Sequence, residues 1–570
     1  MKQKIFFFLF FLTLFAFVFR SLLLNLSSAL IDWRDYSLML WIIFQHIDKI
    51  IHLNFTNYFS TNAFFPHPYS LLFSDLLLPQ ALLTLPLYLL SNNLVLSFNI
   101  VFVLTFILNY FSSFLFWKLL FKKDSLAFFG SILLVFSPFF HMELSHFQMM
   151  SYWPFLFALY FLFRNETIRR KLNIILIGLF LSIQFLSSVY LAIFLITTII
   201  FYFLISLVSN KKLKLDLINF VLIFSIFILL CGFFIKGYSD MKQAYNLKRN
   251  LEEYINYSAQ ISDYVFSTNI DSIIHKSEVV QKWNNLDKNI GAKASFQGFL
   301  IFFLSIAGIF TITKKKGTFS ISIEADRRRA FFLGLILIGF LFSLGPRISF
   351  NGTYAHIPLP YTLPLKYAPM FDTIRAEVRW SYLFYFGLIY FALVSLSTIS
   401  RKKHATIYLT AIFLLFILEY IPLNIKTDSK DYTSEYENLK QICAKEKKVL
   451  LEIPVTHLNA GTNIVEGLTY ITTAELSTVY HGCYLINGYS GYDLPANLEL
   501  DQALNQIIKD QNIPTLLSLL KDHHVNILKI NRRHVIKELQ QPAQDLVEKL
   551  GKIPGLKEID PGVFLISPKN

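Results

Sequence analysis

The sequence of 570 residues is poor in charged side chains, which form 16% of it, whereas a soluble domain has about 25%. Hydrophobic residues make up 54% and aromatic residues 17%, with 60 phenylalanines. Apolar stretches of roughly 20 residues recur through the first three quarters, the length that crosses a hydrocarbon core of ~30 Å. Since a soluble core cannot enclose so many helices that are apolar all round, we predict a polytopic membrane protein.

Motifs for nucleotides and for common hydrolases are also missing. The chain has no Walker A loop, no GxGxxG that opens a helix after a strand, no GxSxG and no HExxH. Nucleotide hydrolysis and the usual serine and zinc hydrolases therefore have no support. The net charge of +14 comes without zinc spacing or an RNA-binding signature, so it does not indicate a nucleic-acid partner.

Cysteine is scarce, with Cys231 in an apolar stretch and Cys443 and Cys483 in the more polar C-terminal segment. A disulfide between the last two is one alternative. Two buried free thiols are the other, and we favour the thiols.

The basic residues stand in short clusters between the apolar stretches, which is the pattern of cytoplasmic loops. With the N-terminus inside, the inner segments contain 21 Lys and Arg and the short outer segments contain 6. We expect the apolar segment 71–90 to stay on one side, as a helix or re-entrant element, because a crossing would turn the basic clusters outward. This gives 11 predicted crossings, near 5–24, 94–117, 126–140, 151–163, 173–187, 189–208, 217–236, 297–313, 330–346, 381–399 and 405–422.

The predicted fold class is mainly α, with a transmembrane helical bundle at 1–422 and an extracytoplasmic α/β domain at 423–570. In the second domain, strand-like and helix-like runs alternate. The strand-like runs are 448–455, 525–530 and 562–566, and the helix-like runs are 499–521 and 542–550. The large outer loops of the first domain are 25–93, 141–150, 237–296 and 347–380.

Two polar clusters lie in the first outer loop. Asp32, Arg34 and Asp35 follow the first crossing, where a carboxylate can act as a general base and an arginine can bind a phosphate oxygen. An interfacial aromatic belt with solvated charges has the same composition. His67 and Asp75 accompany a proline-rich aromatic turn. Either the two side chains line a cavity, or the segment is only a turn and Asp75 is a carboxylate at the start of a helix.

A third cluster, at the outer end of a crossing, contains His141, Glu143, His146 and Gln148 and no Lys or Arg. The two histidines are five residues apart and do not share a helix face well, so a metal site is not favoured. Because polar groups at membrane depth usually face a cavity, we predict a polar wall of a substrate cavity.

Arg375 and Arg379 are four residues apart, and we predict that they form one cationic face on a helix. Such a face suits a phosphate or diphosphate, and snorkelling towards lipid headgroups is the alternative. Arginines on the outer side run against the positive-inside bias, so we favour the phosphate. Tyr190, at another outer turn, is predicted to mark only a helix junction.

The order of these elements resembles the GT-C superfamily of membrane glycosyltransferases. The resemblance depends on Asp35 near the start of a large outer loop, a proline-rich element that leads to Asp75, the polar loop 137–148, and Arg375 with Arg379 before an external C-terminal domain. As an architecture it extends over nearly the whole chain.

The resemblance implies transfer of a sugar from a polyprenyl-phosphate or polyprenyl-diphosphate donor, with inversion, to a glycan, lipid or protein of the cell envelope. The bacterial cytoplasmic membrane would be the location, and Asp35 would be the base. Some members use a divalent metal with a pair of acidic residues in the second outer loop, where this chain has only Glu143, so we expect no cofactor. The loop Asn487–Tyr492 is a candidate for acceptor binding or for a structural lid.

Three alternatives remain open at this stage. One is a transporter or flippase of lipid-linked precursors, which the lack of two similar halves disfavours. The others are an O-antigen polymerase or ligase and a purely structural membrane protein.

Overall fold

The computed structural model describes residues 2–209, 213–267, 271–286, 295–311, 323–350, 353–461, 463–492 and 494–567. Part of the predicted inner loop 314–329, up to residue 322, lies outside the described residues. So do residues 210–212 of an inner loop, and residues 268–270 and 287–294 of the outer loop 237–296.

Residues 1–422 are mostly helical, and a helix lies at each stretch that the sequence predicts as a crossing. Long runs of Leu, Ile and Phe favour helices there, since a helix satisfies its backbone groups internally. The helices are α1 (Lys2–Val18), α2 (Arg20–Leu24), α3 (Asp35–Ile51), α4 (Leu78–Ser91), α5 (Leu94–Phe121), α6 (Asp124–Val135), α7 (Pro138–Glu143), α8 (Phe147–Met150), α9 (Trp153–Thr167), α10 (Lys171–Ser187), α11 (Val189–Ser209), α12 (Leu213–Tyr245), α13 (Leu251–Asn256), α14 (Glu278–Asn284), α15 (Phe299–Ile309), α16 (Ile323–Ser343), α17 (Thr362–Tyr367), α18 (Ser381–Ile399) and α19 (Ala405–Tyr420).

Within the described residues, five helices are long and apolar enough to cross a membrane. They are Leu94–Phe121, Asp124–Glu143, Val189–Leu207, Asp216–Tyr245 and Glu377–Ile399. Shorter apolar helices of 10–17 residues include α4, α10, α15 and α19. The total of 11 crossings therefore stays a prediction, as does the path of segment 71–90.

The chain forms two compact units, each built from three segments. The first unit comprises Met1–Leu24, Phe102–Phe233 and Lys248–Lys426. It contains the strands β2 (Arg347–Phe350) and β3 (Thr353–Pro358), which pair antiparallel. The second unit comprises Asn25–Val101, Phe234–Leu247 and Thr427–Asn570. The boundary at 422/423, predicted from composition, stays a prediction.

Helix α18 lies at the core of the first unit and is buried on most of its surface. Helices α15 and α16 pack closely against it, because glycines occupy the points of contact. A Cβ on Gly308 of α15 would overlap the backbone of Phe391, and one on Gly339 of α16 would overlap the backbone of Phe384.

The second unit contains a five-stranded sheet that supports the α/β prediction for the C-terminal segment. Its strands are β5 (Val449–Ile453), β6 (Tyr484–Leu485), β7 (Ile527–Ile530), β8 (Leu556–Asp560) and β9 (Val563–Ile566), in the order β6-β5-β7-β9-β8. Strand β5 is parallel to β6 and β7, whereas β7–β9 and β9–β8 are antiparallel. The accompanying helices are α20 (Glu437–Lys445), α21 (Ile464–His481), α22 (Pro495–Asp510), α23 (Ile513–Asp522) and α24 (Gln540–Leu550).

The central strands β5 and β7 are buried on both faces, as expected for a parallel pair. Alternate residues of β5, such as Leu451 and Ile453, join the apolar core beneath α22, α23 and α24. The residue between them, Glu452, is also fully buried and lies beside Lys529 of β7 in the strand register.

The first of the predicted outer loops, 25–93, belongs to this second unit. Strand β1 (Ala29–Leu30) pairs with β4 (Asp428–Ser429), and α3 packs against α21. The amide of Phe65 donates to the carbonyl of Leu485 at 2.9 Å, and the amide of Leu485 donates to the carbonyl of Asn62 at 2.7 Å. Residues 62–65 therefore extend the edge of the sheet beside β6.

Cys443 and Cys483 form a disulfide, so the preference for two free thiols is wrong. Their Cα atoms lie 5.3 Å apart, because the end of α21 and the following turn return to α20. Cys231 is a buried free thiol.

Candidate functional site

The start of α3 carries the first predicted cluster. Asp32 accepts hydrogen bonds from Nε and Nη2 of Arg34, at 2.9 and 2.6 Å, and from the Arg34 backbone amide at 2.9 Å. Only 9% of the Asp32 side chain is exposed, so this pair is partly shielded from water. The hydrogen bonds that Arg34 donates to the Asp32 carboxylate raise the pKa of Arg34 above its usual value. The pair fixes the direction of the Arg34 guanidinium.

Asp35 is the first residue of α3 and is half-buried. The N-terminus of a helix stabilises a negative charge in its first turn. A carboxylate at this position can accept a proton from a hydroxyl group. The structure thus places the predicted base and the nearest arginine at one helix end.

Glu475, in α21, is a residue of this unit that the sequence analysis missed. It is fully buried, and its Oε2 accepts a hydrogen bond from the amide of Tyr489 at 3.4 Å. Its Oε1 has no hydrogen-bond partner among the described residues. Burial raises the pKa of Glu475 well above 4.5, so the carboxyl group is kept neutral.

Tyr489 belongs to the loop Asn487–Tyr492, which follows β6. Asn487 anchors this loop, because its Nδ2 donates to the carbonyls of Glu452 and Pro454 at 2.8 and 3.1 Å. The Tyr489 phenol contributes to the raised pKa of Arg34, so the loop lies near the start of α3. The Tyr489 ring also meets the His457 ring edge-on at 5.3 Å. Ligands of α/β sheets commonly bind at this carboxyl edge of parallel strands.

His67 and Asp75 lie in another part of the second unit. The His67 ring meets the Tyr245 ring edge-on at 5.2 Å, and burial lowers the pKa of His67. Next to Asp75, the carbonyl of Ser74 accepts a hydrogen bond from Tyr238 at 2.7 Å. Both residues are half-buried, and the cavity predicted for them stays a prediction.

In the first unit, Glu143 and Arg379 form a buried ion pair. Arg379 Nε donates to Glu143 Oε1 at 3.0 Å, and the two residues are 8% and 2% exposed. His146 Nδ1 lies 3.1 Å from Glu143 Oε2, an ion-pair distance, although the geometry is not that of a good hydrogen bond. Two predicted clusters that are more than 200 residues apart in sequence therefore meet.

Arg375 and Arg379 do not share a helix, so the predicted cationic helix face is wrong. A short 3₁₀ helix begins only at Glu377, and the backbone before it is extended. The hydroxyl of Tyr190 accepts hydrogen bonds from the amides of Arg375 and Ala376, at 2.9 and 3.3 Å. Because these two backbone amides donate to Tyr190, they do not make the hydrogen bonds of a regular helix.

The remaining residues of the predicted polar wall, His141 and Gln148, have other neighbours. Nε2 of His141 lies 3.2 Å from the carbonyl of Tyr420, away from Glu143 and His146. Gln148 stands in the short helix α8 and is half-buried. Within the described ranges, no group of three or more His, Cys, Asp or Glu side chains could hold a metal ion. Both oxygens of Glu143 already face basic groups, so Glu143 does not fit as a metal ligand.

Solved structures of membrane glycosyltransferases share this fold. The arabinofuranosyltransferase AftD from Mycobacteria matches with a TM-score of 0.54 at 11% identity, over 85% of this chain and 35% of AftD. A mutant of AftD gives 0.56 at 11% identity, over 94% of this chain and 41% of AftD. The predicted likeness to membrane glycosyltransferases is confirmed at the level of the fold, and this chain spans less than half the length of AftD.

The archaeal oligosaccharyltransferase AglB from Archaeoglobus fulgidus, in complex with an inhibitory peptide and a dolichol-phosphate, gives a TM-score of 0.43 at 12% identity. The match covers 89% of this chain and 66% of AglB, and a score this low does not establish a shared fold. No curated protein sequence matches the chain.

A family model described as a domain of unknown function, DUF6311, matches residues 6–419. The matched range takes in most of the described helices and well over half of the chain. This chain therefore belongs to the DUF6311 family.

Proposed function

We propose that this protein is an integral membrane glycosyltransferase of the outer face of the bacterial cytoplasmic membrane. It moves a sugar from a polyprenyl-phosphate or polyprenyl-diphosphate donor to a glycan, lipid or protein of the cell envelope. The observation that supports this most is the cluster of Asp32, Arg34 and Asp35 at one helix end, in a chain with the fold of a membrane glycosyltransferase. A lipid-borne donor also accounts for the missing nucleotide motifs.

In the proposed reaction, Asp35 takes the proton of the acceptor hydroxyl group. The acceptor oxygen attacks the anomeric carbon from the face opposite the phosphate, so the configuration inverts. The bond between that carbon and the phosphate oxygen breaks, and its electron pair stays on the phosphate. Arg34, which Asp32 holds in position, stabilises the charge that grows there. This scheme needs no metal ion.

Arg375 and Arg379 are the further candidates for binding the phosphate of the donor. Arg379 is buried and pairs with Glu143, whereas Arg375 is half-buried. Five further residues stay proposed substrate contacts, and no atom of the substrate is assigned to any of them: His67, Asp75, His141, His146 and Gln148.

The disulfide between Cys443 and Cys483 supports an outer location for the C-terminal segment. Disulfides form and persist in oxidising compartments and are rare in the cytosol. This agrees with the orientation inferred from the basic clusters.

The test is glycan transfer in membranes from cells whose only copy of the protein is the wild type or Asp35→Asn, with the pool of polyprenyl-linked sugar measured by mass spectrometry. We expect product to fall by about a hundredfold or more, the usual size for a general base, while donor accumulates. Asp48→Asn is the matched control, because Asp48 lies on the same helix about 20 Å further along and is exposed. Unchanged product in Asp35→Asn removes this residue as the base, and an unchanged donor pool in a full deletion favours a transporter.

A further inference from the structure

The short helix α4 has polar side chains inside and leucines outside. Gln80 and Thr84 are 3% and 0% exposed, and the Thr84 hydroxyl donates to the Gln80 carbonyl at 2.8 Å. By contrast, Leu82, Leu89 and Leu90 are 52%, 63% and 87% exposed. A helix whose outer side meets water has the opposite arrangement, with the leucines inside and the polar residues outside.

The exposed residues of α4 form one continuous apolar face. Leu82, Pro86 and Leu89 are exposed and follow one another at intervals of four and three residues, so they share a side of the helix. None of the 14 residues of α4 is charged. The opposite side packs against α3, where the rings of Phe44 and Tyr88 meet edge-on at 5.9 Å. An apolar face of this kind requires an apolar surrounding.

The chain enters a helix of membrane-crossing length directly after α4. Only Asn92 and Asn93 separate α4 from α5, which is long and apolar enough to cross a bilayer. Asn92 has a left-handed backbone (φ 49°) that ends α4, and the side chain of Asn93 accepts the amide of Leu96 at 2.9 Å in the first turn of α5. The exposed leucines at the end of α4 are therefore no more than about 18 Å along the chain from the start of α5.

The length of α4 decides how it can meet a bilayer. A helix of 14 residues is about 21 Å long, which is short of the ~30 Å that a crossing requires. A helix that lies in the plane of the membrane surface buries one face only, about 5–10 Å into the boundary between headgroups and acyl chains. The single apolar face of α4 fits this arrangement.

We propose that the face of α4 formed by Leu82, Pro86, Leu89 and Leu90 is seated in the lipid bilayer, with the helix in the plane of the leaflet where α5 begins. In the predicted orientation this is the outer leaflet. Because α4 packs against α3, the same contact holds α3, which begins at Asp35, at the membrane surface. This proposal is independent of the sugar transfer.

The experiment uses the full-length protein in liposomes of phosphatidylcholine, with the fluorophore NBD attached to one introduced cysteine. Leu82→Cys and Leu89→Cys place the fluorophore on the proposed face at two separate points. We expect both to lose most of their fluorescence to lipids with a nitroxide near the headgroup, and less to lipids with a nitroxide near the end of the acyl chain. The wild type is the blank, because its cysteines are a disulfide and a buried thiol.

Two control positions calibrate the quenching. Leu229→Cys, at an exposed site in the middle of the apolar helix α12, should be quenched by the lipid nitroxides. Glu446→Cys, at an exposed polar site, should be quenched only by iodide in the water phase. Quenching of Leu82→Cys and Leu89→Cys by iodide alone would overturn the proposal, since the face would then meet water.

Two further outcomes also overturn it. Protection from both iodide and the lipid nitroxides would mean that another protein surface, such as a second copy of the chain, covers α4. Stronger quenching by the deep nitroxide than by the shallow one would mean that α4 enters the hydrocarbon core as a re-entrant element and does not lie in the plane of the surface.

Discussion

At the scale of single residues, the second unit buries two carboxyl groups in opposite ways. Glu452 lies 3.4 Å from the amine of Lys529 and accepts a hydrogen bond from Tyr470 at 3.0 Å. Glu475 has no basic side chain paired with it in the part of the chain that the structure describes. One carboxyl group therefore has a basic partner, whereas burial favours the neutral form of the other.

The neutral Glu475 predicts a pH-dependent stability. Because its pKa is raised in the folded state, the folded protein binds a proton that the unfolded chain releases above about pH 4.5. The contribution of this group to the free energy of unfolding is therefore lost as the pH rises above about 4.5. Glu475→Gln has no such proton, so its Tm relative to the wild type should be higher at about pH 8 than at about pH 5. Glu446→Gln, at an exposed site, is the control, and a difference that does not change with pH would contradict the prediction.

The buried pair predicts a large loss when one member is removed. Lys529→Met leaves Glu452 buried without its cation, which typically costs about 3–5 kcal/mol in the free energy of unfolding. The double variant Lys529→Met with Glu452→Leu should recover much of this loss. Thermal unfolding of the purified protein measures both, and Lys521→Met on the surface should change little. A double variant no more stable than the single one would refute the argument from the unpaired charge.

At the scale of helices and strands, the sequence predicts local features well and contacts between distant segments poorly. Apolar runs locate the helices of residues 1–422, and β-branched runs locate β5, β7 and β9. The pairing of Cys443 with Cys483 and the contacts of Tyr190 depend on how distant elements fold together. A spacing of four residues suggested one face for Arg375 and Arg379, but residues 374–376 are not helical, and two of their amides donate to the hydroxyl of Tyr190. Patterns along the chain contain no signal for such a partner.

The close packing of α15 on α18 predicts an asymmetric response of two glycines. Gly308→Ala places a methyl group against the backbone of Phe391, which cannot move aside, and overpacking of this kind costs about 1–3 kcal/mol. Gly232→Ala, in α12, meets nothing within 4 Å and should be neutral or stabilising by up to about 1 kcal/mol. Thermal unfolding in detergent compares the two. Equal effects would mean that the contact between α15 and α18 is looser than described.

At the scale of the whole molecule, two compact units are each assembled from three segments of the chain. The predicted base, Asp35, belongs to the second unit, and the buried pair of Glu143 and Arg379 belongs to the first. Charge bias along the sequence predicts the orientation, whereas composition alone did not show that the segment 25–101 folds with the C-terminal residues.

The orientation predicts the behaviour of reporter fusions. Alkaline phosphatase, which folds only after export, should be active when it is fused after residue 570. Green fluorescent protein at the same point should stay dark, and the two reporters should exchange behaviour at the inner loop 400–404. A fluorescent green fluorescent protein and an inactive phosphatase at residue 570 would place that residue in the cytoplasm. This result would contradict the predicted orientation and the proposed outer-face transferase.

The second unit is built from segments that are far apart in the sequence, so its first segment is synthesised long before its last. Residues 25–101 leave the ribosome early, whereas the strands beside which they pack begin only after residue 427. At about 5–20 residues per second, this delay is on the order of half a minute. During that time Trp41 and the rest of the buried face of α3 have no α21 to cover them. A nonsense mutation between the codons for residues 427 and 464 would make this exposure permanent, even though every helix of residues 1–422 has been made.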